Sequence, residues 1–194
     1  MTNSNRIAKW KCEDEGIKQQ QSHPNREHLC GLGLNLGLHI RETRMKIGIV
    51  SGYFNPLHTG HLDYIQSAAD YCERLYVIVN NDEQVKMKGS KPFLDSESRV
   101  RIVNSVKGVH QAILSIDEDS TVCRSITGIY NSLEVPELGT KLHDFIFMNG
   151  GDRKAGDVPE KEVCDKLGIT MRYNVGGEKT ESSSKLLQKV VNAQ

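Results

Sequence analysis

The sequence predicts an α/β domain with three layers, in which a mainly parallel sheet of about five strands lies between two layers of helices. From residue 45 onward, apolar segments of strand length alternate with segments of helical periodicity. The strand segments are continuously apolar, which is typical of parallel strands that are covered on both faces. Distinctive polar motifs follow the predicted strands, at the edge where such sheets bind ligands.

The pattern of apolar residues gives the predicted elements in chain order. Predicted strands cover Lys46–Ser51, Leu75–Asn80, Gln111–Ser115, Phe145–Met148 and Ile169–Tyr173. Predicted helices cover Thr59–Cys72, the residues from Asp95 as N-cap to Val106, Thr121–Tyr130, Pro159–Leu167 and Ser182–Val191. The polar, Lys-rich residues between the second strand and Pro92 are predicted to form a loop.

Residues 1–44 differ in composition from the rest of the chain. They are rich in Gln, Asn, Lys and Glu and lack a clear helical or strand period. Glycine alternates with leucine in Gly31–His39, and glycine weakens a strand. We expect residues 1–44 to form a poorly ordered extension and residues 45–194 to form the domain, with Met45 as a candidate start site.

The charge balance and the cysteines exclude several classes of protein. The 194 residues carry 25 Lys and Arg against 25 Asp and Glu, so no basic excess favours a nucleic-acid or anionic membrane partner. Apolar runs fall far short of the ~20 residues that span a bilayer. The five cysteines are widely spaced and odd in number, which predicts free thiols in a reducing compartment. We expect a cytoplasmic protein.

The motif His58-Thr59-Gly60-His61 follows the first predicted strand and opens a helix. Helix N-termini attract phosphate, and a glycine there allows a ligand to approach the backbone N–H groups. Two imidazoles supply donors for charge that grows on a phosphoryl group. Metal binding is the competing interpretation, but no third ligand stands at an obvious spacing. The motif therefore predicts His58 and His61 as catalytic residues and Gly60 as a nucleotide-binding residue.

The stretch Gly52–His61 resembles the Gly-x-Phe-Asp-x-x-His-x-Gly-His signature of the cytidylyltransferase-like nucleotidyltransferases, with Asn55 in place of the aspartate. The resemblance runs from about Met45 to the C-terminus, and is strongest to the heptose 1-phosphate adenylyltransferase domain and glycerol-3-phosphate cytidylyltransferase. It implies that the phosphate of a small acceptor attacks the α-phosphorus of ATP or CTP, releasing pyrophosphate with Mg²⁺ assisting. No covalent enzyme intermediate is expected.

The resemblance extends to the stretch Lys86–Pro92, which is similar to a Lys-Lys-Gly-x-x-Pro loop of the family. It implies that Lys88 is catalytic and that Arg99, near the start of the next helix, binds phosphate of the nucleotide with its forked guanidinium. A solvated charged loop is the alternative interpretation. Acceptor binding is assigned to Asn80, Asp82 and Lys86.

Two later turns complete the predicted nucleotide site. Asn149–Asp152 resembles the Lys-Gly-Gly-Asp turn of the heptose-type enzymes, with Asn149 in place of the lysine. The run Thr180–Ser184 is similar to a Ser-Thr-Thr run of the family at a helix start, although serines there also serve simply as caps. Nucleotide binding is assigned to Tyr53, Phe54, Gly60, Arg99, Gly150, Gly151, Asp152, Ser182 and Ser183.

Several alternatives stay open. Asn149–Asp152 and Asp117–Ser120 resemble the heptose-type branch and favour ATP over CTP. Phe54-Asn55-Pro56 also resembles nicotinamide-nucleotide adenylyltransferases. A non-catalytic nucleotide-binding protein that keeps the fold is the third hypothesis. It is suggested by Asn55 and Asn149, which differ from the family residues, and by the N-terminal extension. The insertion Asn131–Leu142 is expected to carry either acceptor specificity or a homodimer contact.

Overall fold

The computed structural model describes residues 44–134, 141–151, 158–177 and 183. All of them belong to the second of the two units into which the chain divides, Arg41–Gln194. Except for Arg44 and Ser183, the predicted N-terminal extension and the predicted last helix Ser182–Val191 lie outside the described residues.

Five parallel strands form one sheet, as the sequence predicts. They are β1 Met45–Gly52, β2 Arg74–Val79, β3 Gln111–Leu114, β4 His143–Gly150 and β5 Thr170–Val175. Their order is β3-β2-β1-β4-β5, and every neighbouring pair is parallel. The chain first builds outward from β1 to β3 and then crosses to the other side of β1. The strand order therefore switches direction between β1 and β4, where sheets of this kind bind ligands beyond the strand ends.

Helices cover both faces of the sheet. They are α1 Thr59–Ala69, α2 Asp82–Met87, α3 Ser96–Asn104, α4 Cys123–Leu133 and α5 Lys161–Leu167. Alternate residues of β1 enter different apolar cores: Ile47 and Ile49 contribute to the core under α4 and α5, and Val50 to the core under α1 and α3. This placement confirms the three layers and explains why the strands are continuously apolar.

Helix α2 is a correction to the sequence prediction, which treated the residues up to Pro92 as a loop. Its first turn is held by a reciprocal pair. The Asn81 side chain accepts from Gln84 N at 2.9 Å, and Gln84 Oε1 accepts from Asn81 N at 3.1 Å. This is a capping box, and Asn-x-x-Gln was its signal in the sequence. Most residues of the helix are charged or polar, so its sequence shows no helical period of apolar residues.

The insertion Asn131–Leu142 is described only at its two ends. Its first three residues complete helix α4, and residues 135–140 lie outside the described part of the chain. The buried carboxylate of Glu134 accepts from Leu142 N at 2.9 Å and from His143 N at 2.8 Å. Glu134 therefore joins the end of α4 directly to the start of β4.

The described part of the chain contains short helices and three cysteines. No helix there is long and apolar enough to cross a bilayer. Cys72, Cys123 and Cys164 are free thiols, as expected for these three positions. Burial raises the pKa of the Cys164 thiol to about 12, so this thiol is protonated at neutral pH.

Asp117 holds the start of helix α4. Its buried carboxylate accepts from Arg124 N at 2.7 Å and from Ser125 N at 3.0 Å, and it also accepts from the Ser125 hydroxyl. Buried carboxylates that receive several hydrogen bonds at a helix start satisfy donors that would otherwise have no partner. The first residue of the acidic Asp117–Ser120 segment therefore has a structural use.

We expect Asp117→Ala to lower the free energy of unfolding by about 2–4 kcal/mol, because two helix N–H groups and a buried hydroxyl lose their acceptor. Urea unfolding of the full chain measures this. Asp119→Ala is the matched control, since the exposed Asp119 carboxylate accepts from the backbone and hydroxyl of Thr121 and not from a helix start. The control should lose less than half as much, and equal losses would contradict this role of Asp117.

Candidate active site

The turn between β1 and α1 carries the signature residues in a strained but well supported conformation. Phe54 has φ +47°, a conformation that bulky residues rarely adopt and that is found at functional turns. Its buried ring folds back over Gly52, where a Cβ would lie 2.8 Å from Phe54 Cζ. The same ring meets His61 edge-on, with centroids 5.0 Å apart. Glycine at position 52 therefore allows Phe54 to support the His61 imidazole.

The two signature histidines form a stacked pair at the start of α1. Their ring centroids lie 3.8 Å apart at an interplanar angle of 24°. The backbone N–H of His58 donates to His61 Nδ1 at 3.4 Å. A neutral imidazole that accepts at Nδ1 carries its proton on Nε2, so His61 presents Nε2–H as a donor. Gly60 lies between them in the first helical turn, beyond the carboxyl end of β1.

The guanidinium of Arg99, which the sequence analysis assigns to nucleotide phosphate, lies buried among backbone carbonyl groups. The residue is 1% exposed. Nη1 donates to Tyr53 O and to Asn80 O, both at 2.7 Å, and Nε donates to Leu94 O at 3.2 Å. Nη2 donates to Asp82. Carbonyl groups at the ends of β1 and β2 need donors there, so Arg99 joins these two strand ends.

Two of the predicted acceptor-binding residues also have structural partners. Asp82 accepts from Arg99 through one carboxylate oxygen and from Ser96 N through the other, at 3.3 Å. The buried Asn80 side chain donates to Gln84 Oε1 at 3.0 Å. These bonds fix α2 and α3 at the edge of the sheet. Gln84 itself, which the sequence analysis missed, also donates to the backbone of Asp119 and Thr121.

The two predicted lysines have different surroundings. Lys88 lies with its Nζ 4.3 Å from the centroid of the Tyr53 ring, and so contacts the signature turn. Lys86 instead pairs with Glu83 on the exposed surface of α2, at 2.6 Å. The hydrogen bond that Lys86 donates to the Glu83 carboxylate raises the pKa of Lys86. The structure brings Lys88, rather than Lys86, to the turn that carries the histidines.

On the other side of the switch point, α1 contacts the ends of β4 and β5 through Tyr64. Its hydroxyl donates to Met148 O at 2.6 Å. A Cβ at Gly150 would lie 2.9 Å from the Tyr64 ring, and one at Gly176 would lie 2.8 Å from Tyr64 Cα. Side chains at either glycine would therefore displace α1. Gly151, with φ +69°, faces open space, and Asp152 lies outside the described residues.

Asn149, at the carboxyl end of β4, holds an unsatisfied polar group. It is 3% exposed, and its Nδ2 has no hydrogen-bond partner among the residues that the structure describes. A buried donor without a partner costs about 1–3 kcal/mol, and such groups occur where a ligand supplies the acceptor. Sequence reasoning noted this residue only as a departure from the family lysine.

The C-terminal segment reaches the signature turn at Ser183. Its hydroxyl donates to Pro56 O at 3.1 Å, across 127 positions of the chain. This contact places Ser183 next to the turn that leads into His58. Ser182, the other predicted phosphate-binding serine, lies outside the described residues.

Comparison with known proteins agrees with this arrangement. The family model described as cytidylyltransferase-like matches residues 49–168, from β1 to the end of α5. The chain belongs to the cytidylyltransferase-like family. It is therefore a nucleotidyltransferase, as the signature motif predicts.

Two groups of relatives are similar to this nucleotidyltransferase. FAD synthase of Methanohalophilus mahii is 35% identical over 121 residues, covering 61% of this chain and 70% of the relative. FAD synthase of Thermoplasma acidophilum is 25% identical, covering 64% and 77%. The bifunctional protein HldE of Rhodopseudomonas palustris strain BisB18 is 33% identical over 147 residues, covering 73% of this chain. The chain spans only 27% of that larger protein.

A solved structure shares the fold. The crystal structure of the lipopolysaccharide core biosynthesis protein from Thermoplasma volcanium GSS1 matches with a TM-score of 0.55 and 24% identity. The match covers 70% of this chain and 99% of the other. At this identity the likeness supports the fold alone.

Arg99→Lys should lower the free energy of unfolding by about 2–3 kcal/mol, because lysine lacks the fork that binds several carbonyl groups at once. Urea unfolding measures the change. Arg101→Lys, an exposed position of the same helix, is the control and should stay within about 0.5 kcal/mol. Unchanged stability of Arg99→Lys together with lost activity would instead support the phosphate contact predicted from the sequence.

Proposed function

We propose that the chain transfers the adenylyl group of ATP to the phosphate of a small acceptor and releases pyrophosphate. One observation carries this proposal: the stacked pair His58 and His61 stands at the start of α1, beyond the switch point between β1 and β4. The name of the FAD synthase relatives supports ATP as the donor nucleotide over CTP. The reducing compartment expected from the free cysteines supports a cytoplasmic location.

In the proposed step, an oxygen of the acceptor phosphate attacks the α-phosphorus of ATP. A new P–O bond forms as the bond from the α-phosphorus to the bridging oxygen breaks, and pyrophosphate leaves with that electron pair. The chain's part is to position both substrates and to stabilise the growing charge. His61 Nε2–H and His58 donate toward the α-phosphate and the leaving oxygen, aided by the first N–H groups of α1. Lys88 contributes a positive charge to the phosphates.

Mg²⁺ is proposed to enter with the nucleotide. No group of three or more His, Cys, Asp or Glu side chains in the described part of the chain is placed to hold a metal ion. Both carboxylate oxygens of Asp82 already accept hydrogen bonds from Arg99 and Ser96. Mg²⁺ commonly keeps several waters and binds through substrate phosphates. We therefore assign no metal-binding residue among those described.

The acceptor is proposed to be a small phosphorylated molecule. The FAD synthases share most of their length with this chain, 70% and 77%, whereas HldE shares 27%. Flavin mononucleotide is accordingly the first acceptor to test, with sugar and polyol phosphates next. Nicotinamide mononucleotide stays a candidate because of Phe54-Asn55-Pro56. The balanced charge supports neither a nucleic-acid nor a membrane partner, and a homodimer stays a proposal for light scattering to test.

We expect the purified full chain to release pyrophosphate with ATP, Mg²⁺ and one acceptor of this set, each acceptor being tested separately and CTP being run in parallel. Removing one donor that stabilises the transition state should lower kcat by about 10²–10³ in His61→Ala. His110→Ala, far along the chain on the surface, is the matched control. Nucleotide binding without pyrophosphate release from any pair would instead favour the non-catalytic interpretation.

Asn149→Leu should change stability and nucleotide affinity in opposite directions. Replacing the buried, unsatisfied amide with an apolar group of similar shape should raise the Tm of the free protein. If the amide donates to the nucleotide, the affinity for ATP should fall about tenfold. Thermal unfolding and calorimetric titration measure the two effects. A lower Tm with unchanged affinity would show that Asn149 serves the fold only.

A further inference from the structure

The residues that join α2 to α3, Lys88–Leu94, form what we call the lysine segment. The segment belongs to no helix or strand, and the Phe93 side chain is 62% exposed. Burial therefore contributes little to fixing its course, and specific contacts decide where Lys88 lies. Its first residues bond to the backbone of α2, and contacts of Lys88, Lys91 and Phe93 lead to the signature turn between β1 and α1.

Asn55 makes the central contact. Its buried side chain donates from Nδ2 to Lys91 O at 2.8 Å and accepts at Oδ1 from Phe93 N at 2.6 Å. A single primary amide thus satisfies a backbone acceptor and a backbone donor two residues apart. Because one side chain bridges both groups, the lysine segment has a fixed position relative to the turn.

This contact explains why asparagine stands where the family signature has aspartate. A carboxylate accepts hydrogen bonds but does not donate them. Aspartate at position 55 would keep the bond from Phe93 N and lose the bond to Lys91 O. It would also hold a negative oxygen against that carbonyl oxygen in a buried place. The departure from the signature therefore matches the backbone that it faces.

Tyr53 and Arg99 connect the same two parts of the chain. The Tyr53 ring lies under Lys88 Nζ, 4.3 Å from the ring centroid, a cation–π arrangement. Arg99 donates both to Tyr53 O and to Leu94 O, so that one guanidinium holds the turn and the end of the lysine segment. The segment is therefore tied to the turn at Lys88, at Lys91 and Phe93, and at Leu94.

We propose that Asn55 and the Tyr53 ring are positioning residues that hold the Lys88 ammonium group beside the His58–His61 pair, where it binds the phosphates of the nucleotide. The proposal rests on the proposed function for the role of Lys88. A lysine side chain has many rotamers, and fixing its backbone and its ammonium group in advance reduces the entropy lost when phosphate binds. Asn55 fixes the backbone of the lysine segment, and the Tyr53 ring contacts the Lys88 ammonium group itself.

A double-mutant cycle on ATP affinity tests the proposal. With Lys88 present, Asn55→Asp should weaken ATP binding about tenfold. In the Lys88→Ala background the same substitution should weaken it less than twofold, since there is no ammonium group left to position. Tyr53→Leu should weaken binding about two- to fivefold, and Tyr53→Phe, which keeps the ring, should weaken it less. Equal losses from Asn55→Asp in both backgrounds would overturn the proposal.

Amide exchange tests the structural half of the proposal independently of activity. In Asn55→Ala the Phe93 amide loses its acceptor, and its exchange in the free full chain should speed up at least about tenfold. In Asn55→Asp the Phe93 amide should stay protected. Asn104→Ala is the matched control, because Asn104 accepts from Ala112 N on the edge strand β3. Exchange at Phe93 that does not respond to Asn55→Ala would overturn the proposal.

The two experiments separate this inference from the proposed function. Faster Phe93 exchange and coupled ATP binding, without pyrophosphate release from any acceptor, would support the positioning role while contradicting adenylyl transfer. Pyrophosphate release with no coupling between Asn55 and Lys88 would support adenylyl transfer and contradict the positioning role. The double-mutant cycle and the exchange measurement do not depend on identifying the acceptor, since ATP is the only ligand that they use.

Discussion

The buried guanidinium of Arg99 is the interaction on which the rest of the site depends. It gathers carbonyl groups from the end of β1, from the end of β2 and from the residue before the N-cap of α3. Without a multivalent donor there, these strand ends would hold unsatisfied oxygens in a buried place. Because Tyr53 is one of the groups it binds, the same contact fixes the start of the turn that delivers His58 and His61. Arg99, which the sequence suggested as a ligand contact, therefore fixes the position of the strand ends and of the turn that carries the histidines.

The fold could be predicted from the sequence because its signal is spread over many residues. The continuous apolar strands and the periodic helices α1 and α3 each indicate a parallel sheet covered by helices. Small errors in the predicted ends of these elements therefore did not change the predicted fold. Helix α2 was missed because its six residues are too few to show a helical period. Its signal in the sequence is the capping box formed by Asn81 and Gln84. The histidine motif was found because strand, turn and helix stand in order along the chain.

The roles of Arg99, Asp82 and Asn80 could not be predicted in the same way. Asn80 and Asp82 follow the end of β2, and Arg99 lies near the start of α3. Polar side chains at such positions are typical of ligand contacts as well as of structural bonds. What distinguishes the two uses is the partner. Arg99 donates to carbonyl groups up to 46 positions away, Asp82 accepts from Arg99 and from Ser96 N, and the Asn80 side chain donates to Gln84. Sequence spacing does not show such pairs. The same reason hid Asn55, whose partners Lys91 and Phe93 become visible only in three dimensions.

The charges of the site follow from these structural bonds. A site for phosphates should present donors and avoid free carboxylates. Asp82 is the acidic residue closest in sequence to the end of β2, and its two oxygens accept from Arg99 and from Ser96 N. This pairing neutralises the carboxylate with the buried guanidinium of Arg99. Other polar groups near the strand ends can donate to an anion. They include the imidazoles at the start of α1, the Lys88 ammonium group over the Tyr53 ring and the Asn149 amide at the end of β4. The arrangement thus favours a bound polyphosphate over a cation, although the chain as a whole has no net charge.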